Sequence, residues 1–197
     1  MTGIVLSGGE CRRMGMDKAF LKVDGVPMIT HVIRALRIVA DQIIIVTNSP
    51  AAYAAYDDAV VVADALARRG PLTGIYSGLL SSRDEYNFIV ACDMPYLNPQ
   101  LIAYMSGLAA GYDIVAPKIK GLVEPLHAIY SRRLLPMIED RIQRGMQRIQ
   151  DIYSEARVRF VTEEDIDRFD PARRSFKNLN TPQEYKEATC LDLECRN

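Results

Sequence analysis

Residues 6–18, Leu6-Ser7-Gly8-Gly9-Glu10-Cys11-Arg12-Arg13-Met14-Gly15-Met16-Asp17-Lys18, have the types and spacing of a loop that holds a triphosphate. Gly8 and Gly9 let peptide N–H groups approach a ligand closely. Arg13 and Lys18 add fixed positive charge where phosphates would lie. The string is not a P-loop, because no Gly-Lys-Ser/Thr is present, and it lacks the G-x-G-x-x-G dinucleotide fingerprint. A lone Gly-Gly would read as a plain surface turn; the full string argues for nucleotide binding.

Three further polar residues stand where β-rich runs end: Asn48, Asp64 and Asp93. Asp93 follows the apolar run Phe88–Cys92 and precedes Met94-Pro95. A carboxylate there suits a hard cation such as Mg²⁺, which takes oxygen ligands and keeps several waters. The simpler alternative for Asp93 and Asp64 is a strand-end turn residue, and Asn48, ahead of Ser49-Pro50, fits a turn equally well. Cys92 reads as a core thiol rather than a nucleophile.

Short β-rich runs alternating with amphipathic, helix-length segments must position these groups. They predict an α/β chain with a mostly parallel sheet. Strands are expected at Gly3–Leu6, Ile43–Thr47, Val60–Ala63, Phe88–Cys92, Asp113–Pro117, Leu126–Tyr130 and Val158–Val161. Helices are expected at Met28–Ala40, Leu72–Ser82, Pro99–Ala109, Leu134–Arg144, Met146–Glu155 and Pro182–Ala188. In such a sheet ligands bind outside the carboxyl ends of the strands, where the polar residues above would gather.

The chain has 197 residues, 49% of them apolar and 25% charged, and suits one domain over residues 1–189 with a flexible tail at 190–197. Its 24 Lys and Arg against 25 Asp and Glu give a net charge of −1, which offers no general attraction for nucleic acid or an anionic membrane. No apolar run approaches the ~18–20 residues that span a bilayer, and no leader pattern opens the chain, so a cytoplasmic protein is expected. The four cysteines have no CxxC spacing and read as free thiols. The basic stretch Arg132, Arg133, Arg141, Arg144 and Arg148 reads as a solvated helix face or a receiver for an anionic phosphate.

Leu-x-Gly-Gly-x-x-x-Arg-Met-Gly-x-Asp-Lys resembles the signature of molybdenum cofactor guanylyltransferases, the MobA family within the nucleotidyltransferases. Asp64 with Gly70-Pro71-Leu72-Thr73-Gly74, Ala91-Cys92-Asp93-Met94-Pro95, Glu124-Pro125-Leu126-His127-Ala128 and Asn178-Leu179-Asn180-Thr181-Pro182 agree in order and spacing. The resemblance implies a three-layer Rossmann-like nucleotidyltransferase fold. It also implies GMP transfer from GTP to the terminal phosphate of molybdopterin or Mo-molybdopterin, with Mg²⁺ as cofactor. Leu6, Ser7, Gly8 and Gly9 would then contact the nucleotide, and Arg13 and Lys18 its phosphates. Asn48 and Asp64 would hold base or ribose, and Asp93 the metal. His127, Asn178 and Asn180 would be acceptor- or metal-side contacts, although a hydrogen-bonded strand position fits His127 as well. Cofactor-insertion and molybdoenzyme-maturation proteins would be partners.

The related cytidylyltransferases typically carry Leu-Ala-Ala-Gly at the loop. Gly8 in place of alanine leaves room for a purine and favours GTP. Sugar-1-phosphate nucleotidyltransferases show Gly-x-Gly-Thr-Arg-Leu there, and this chain does not. A non-catalytic nucleotide-binding regulator would be expected to lose Asp93 or Lys18, and both are present.

Overall fold

The computed structural model describes residues 1–8, 18–66, 70–179 and 184. Gly9, Arg13 and Asn180 lie outside the described residues, as does the expected tail; of the expected helix Pro182–Ala188 only Glu184 is described. In chain order the strands are β1 (Thr2–Leu6), β2 (Lys22–Val23), β3 (Val26–Pro27), β4 (Gln42–Val46), β5 (Val60–Val62), β6 (Tyr86–Ala91), β7 (Ile114–Ile119), β8 (Leu122–Val123), β9 (His127–Ser131) and β10 (Val158–Val161). The helices are α1 (Met28–Leu36), α2 (Pro71–Ser81), α3 (Pro99–Gly107), α4 (Leu135–Gln143) and α5 (Glu163–Asp167).

The main sheet runs β10-β7-β9-β6-β1-β4-β5, with β8 folded back on β7; β2 and β3 form a separate hairpin. β1 pairs in parallel with β4 on one side and β6 on the other. β9 is antiparallel to both β6 and β7. With β8 and β9 excepted, the main strands therefore end at one common edge. The chain winds outward from β1 through β4 to β5, then returns to lay β6 on the opposite side of β1. That reversal opens a crevice between the carboxyl ends of β1 and β6, the place where open α/β sheets bind ligands.

Helices cover both faces, which is why the strands read as continuous apolar runs rather than alternating ones. α1 and α3 pack one face over Val5, Ile45, Phe88 and Val90. α2 and α4 pack the other over Ile4, Ile44, Val46 and Ile89. On α1, Met28, Ile29, Val32, Ile33 and Leu36 are buried; each such side chain is worth about 1.5–3 kcal/mol. α2 approaches the sheet through its glycines: a Cβ on Gly78 would lie 2.5 Å from Ile4 Cγ2, and one on Gly74 3.4 Å from Leu6 Cδ2. This close approach brings the first turn of α2 over the end of β1.

The structure departs from the sequence expectations at particular places. α1 stops at Leu36 and continues as a turn, leaving Ile38 exposed. Gly145 at φ +84° ends α4, and the following segment forms only a short 3₁₀ turn at Ile149–Ile152 instead of a helix over Met146–Glu155. Two tight hairpins were not anticipated: Asp24-Gly25 joins β2 to β3, and Lys120-Gly121 joins β7 to β8, with both residues of each pair at positive φ. α5 was also missed, although Thr162 and Asp165 form a capping box at its start.

Candidate active site

The crevice is built by extending the strand ladders one residue past their ends. Ser7 N–H donates to the Val46 carbonyl (2.8 Å), Thr47 N–H to that of Val62 (2.9 Å) and Cys92 N–H to that of Leu6 (3.1 Å). Side chains at the strand ends are thereby held in register. Ser7 is buried, and its hydroxyl hydrogen-bonds the buried Tyr53 hydroxyl at 2.5 Å. Its hydroxyl is thus engaged by the protein itself. Leu6 closes β1 against the Gly74 turn of α2.

On the β4 and β5 side, Gly8, Asn48 and Asp64 come together. Asn48 Nδ2 donates to Asp64 Oδ2 at 3.1 Å, and a Cβ added at Gly8 would stand 3.6 Å from Asn48 Nδ2. Gly8 is exposed and its φ lies outside the left-handed region. Its value at this position is therefore space, not an otherwise forbidden backbone torsion.

At the centre, Lys18 Nζ donates to Asp93 Oδ2 at 2.5 Å, joining the end of the loop to the end of β6. Both side chains are largely shielded from solvent, at 11% and 17% exposure, so the pair is screened less than a surface ion pair would be. Asp93 Oδ1 is buried and has no hydrogen-bond partner among the described residues. Leu179 N–H donates to the Asp93 carbonyl at 3.1 Å. That bond carries the C-terminal segment to this edge and sets the exposed Asn178 beside Asp93.

His127 is not at the crevice surface. It is fully buried on the α1/α3 face, its ring edge-on to Phe88 (centroids 5.0 Å apart) and 4.6 Å from Phe176, and among the described residues neither ring nitrogen is hydrogen-bonded. Burial pushes its pKa down to about 3, against a smaller opposing pull from the Asp170 charge. The unfolded chain therefore binds a proton at His127 near pH 6.5 that the folded chain refuses. Stability is expected to fall as pH drops from about 6.5 towards 3, by up to about 1.4 kcal/mol per pH unit from this group. Denaturant melts of wild type and His127→Leu between pH 5 and 7 check this: the variant is expected to lose the slope, and equal slopes would exclude His127 as its source.

On the far side of Asp93 from Asn48 and Asp64, β9 begins. Ala91 N–H donates to the Leu126 carbonyl (3.3 Å), one step past the Val90–His127 pair, which brings the segment leading into β9, with Glu124, beside the end of β6. Glu124 N–H donates to the Pro117 carbonyl at 3.0 Å. The Tyr130 hydroxyl donates to the Pro125 carbonyl (2.8 Å) and meets the Tyr153 hydroxyl at 3.1 Å. The Tyr153 ring stacks with Phe160, centroids 6.5 Å apart, and Lys118 Nζ lies 5.2 Å from the Phe160 centroid. Neither Tyr53 nor the Glu124–Tyr153 group was assigned a role from sequence. Glu124 was visible as the polar residue opening an apolar strand before proline, whereas nothing in the sequence marked Tyr53.

The basic stretch has mostly structural partners. Arg132 Nε donates to the Leu79 carbonyl (3.1 Å), Arg133 pairs with Glu85 (2.9 Å), Arg141 with Glu155, and Arg144 with Asp140 (3.0 Å). Gly70 stands at the N-cap of α2, and the Thr73 hydroxyl is buried in its first turn. No helix among the described residues is long and apolar enough to cross a membrane.

The edge thus has two halves flanking a lysine–carboxylate pair, an arrangement suited to bringing two substrates together around transferred phosphate. Residues 3–160 match the MobA-like NTP transferase domain family. The molybdenum cofactor guanylyltransferase of Desulfosudis oleivorans is 41% identical over 190 residues, covering 95% of this chain and 94% of that protein. The solved structure of molybdopterin-guanine dinucleotide biosynthesis protein A from Archaeoglobus fulgidus superposes with a TM-score of 0.84 at 27% identity, covering 98% of this chain and all of the other. A 4-diphosphocytidyl-2C-methyl-D-erythritolsynthase from Anaerococcus prevotii, 13% identical, shares the fold at a TM-score of 0.74, with 98% of this chain and 95% of that one covered.

Proposed function

Because the chain belongs to the MobA-like NTP transferase family, we propose that it transfers GMP from GTP to the terminal phosphate of molybdopterin or Mo-molybdopterin, releasing pyrophosphate. The observation that carries this reading is the Lys18–Asp93 pair at the reversal of strand order, flanked by a polar cluster on each side. In the reaction an acceptor phosphate oxygen forms the new bond to the α-phosphorus. The α–β bridging bond breaks, and its electron pair leaves with pyrophosphate. Such transfer asks the protein for positioning and charge neutralisation more than for covalent chemistry.

Each residue then has a task. Lys18 leaves Asp93 for the phosphates and balances their charge, and Arg13 of the same loop would add a second positive charge. Leu6, Ser7, Gly8 and Gly9 line the nucleotide, Ser7 through its backbone because Tyr53 holds its hydroxyl. Asn48 and Asp64, already joined, present an amide and a carboxylate to base or ribose. Asn178 and Asn180 flank the residue whose N–H secures the Asp93 main chain.

Asp93 fits a divalent cation such as Mg²⁺, because among the described residues its buried Oδ1 has no hydrogen-bond partner and a carboxylate oxygen is the donor that hard ions take. Among the described residues no group of three His, Cys, Asp or Glu could hold a metal, so phosphate oxygens would complete the ligand set. When bound, Mg²⁺ supplies charge stabilisation for the leaving pyrophosphate.

Gly8 bears on the choice of base. Among the described residues a methyl group there would meet Asn48 alone, at ordinary contact distance, so its cost falls on ligand space. Gly8→Ala is expected to fold normally and to lose about 5- to 100-fold in kcat/KM for GTP, with a smaller loss for CTP. Equal losses for the two nucleotides, or wild-type turnover that prefers CTP, would contradict the assignment to GTP. The overall reading is tested by pyrophosphate release with GTP, Mg²⁺ and molybdopterin: release is expected only when all three are present. GTP binding without release would instead identify a nucleotide-binding regulator.

A further inference from the structure

If the β1, β4 and β5 ends take the nucleotide, the β7 and β9 side of the same edge is left for the acceptor. The group there best placed to recognise a ligand is Glu124. Its N–H donates to the Pro117 carbonyl of β7, and two residues later the Leu126 carbonyl accepts from the Ala91 N–H where β6 ends, which puts it at the same sheet edge as Asp93. Its backbone is fixed at Pro117, and the adjoining Pro125 carbonyl is fixed by Tyr130, so the position is rigid. Half-burial raises its carboxyl above the ordinary carboxylate range, and among the described residues no hydrogen bond or ion pair offsets that cost. Its charge also reaches Tyr153, whose hydroxyl is pushed up to about 12 mainly by burial. A carboxylate held this way is ready to accept hydrogen bonds from a ligand, since an uncompensated buried acceptor gains most from a partner.

We propose that Glu124 recognises the pterin of the acceptor, its two carboxylate oxygens accepting from the 2-amino group and the adjacent ring N–H of the 2-amino-4-oxopyrimidine. The inference rests on the transfer reading above and deepens it. Guanine carries the same pair of donors, but the nucleotide half of the edge lies across Asp93, with Asn48 and Asp64. Tyr153, stacked on Phe160, offers a flat aromatic surface on the same side as the carboxylate.

The test is steady-state transfer by Glu124→Gln, with GTP and molybdopterin varied separately. The glutamine keeps the shape but replaces one acceptor oxygen by a donor that opposes the 2-amino group. Loss of a charge-assisted pair is expected to raise the KM for molybdopterin ~10-fold or more, while the KM for GTP stays within about twofold. Glu124→Asp, which keeps the charge, is expected to lose less than the glutamine variant. An unchanged molybdopterin KM in Glu124→Gln would overturn the inference. So would a rise in the GTP KM instead, because the carboxylate would then be reading guanine. Absence of transfer by the wild-type protein in the same assay would reject the transfer reading itself.

Discussion

Lys18→Ala is expected to lower kcat/KM for GTP by about 10²–10³-fold, the usual loss when one preorganised donor to developing charge is removed. The lysine ends the loop and already lies in the crevice, 2.5 Å from Asp93, so little rearrangement separates its resting place from a phosphate. Neighbouring Ala19 and Phe20 supply the packing at this turn, with Ala19 buried and Phe20 4.9 Å from the Tyr53 ring. Thermal unfolding near that of wild type, together with the kinetic loss, is the expected pair of results. A variant with near-normal transfer would remove Lys18 from the phosphate site.

Asp93→Ala is expected to be more damaging, by about 10³-fold or more, because it removes both the partner of Lys18 and the carboxylate that fits the cation. Its main-chain link to Leu179 uses the carbonyl and survives the substitution, so the C-terminal segment keeps its place. Activity that remains is expected not to rise with added Mg²⁺ through the millimolar range. A variant still active and still dependent on Mg²⁺ would move the metal elsewhere. The double variant Lys18→Ala with Asp93→Ala is expected to lose less than the product of the two single losses, since residues acting as one unit are not additive.

The strands that carry the site were legible because covered sheets demand β-branched runs, and Ile43–Thr47 and Phe88–Cys92 could hardly be read otherwise. The gathering of Asn48, Asp64 and Asp93 at one edge followed from parallel strands alone. What could not be read was which face a residue takes in a strand buried on both sides. The segment from Leu126 to Tyr130 is apolar at nearly every position, so no alternation showed that His127 turns into the α1/α3 core and away from the acceptor side. The antiparallel setting of β9, which brings the segment with Glu124 to the end of β6, depends on long-range pairing that local sequence does not encode. The Asp24-Gly25 and Lys120-Gly121 turns were different. Aspartate-glycine is a strong hairpin signal, but runs of only two strand residues on each side give it no periodicity to stand on.

The most direct test of the central claim follows the α-phosphate. The protein is incubated with Mg²⁺, molybdopterin and GTP labelled at either the α- or the γ-phosphate. The α-label is expected in a pterin product from which phosphodiesterase frees GMP, and the γ-label in pyrophosphate, with neither conversion when molybdopterin is left out or Asp93 is replaced by alanine. An α-label that appears only as free GDP or GMP, or equal labelling of the product from CTP, would contradict the account.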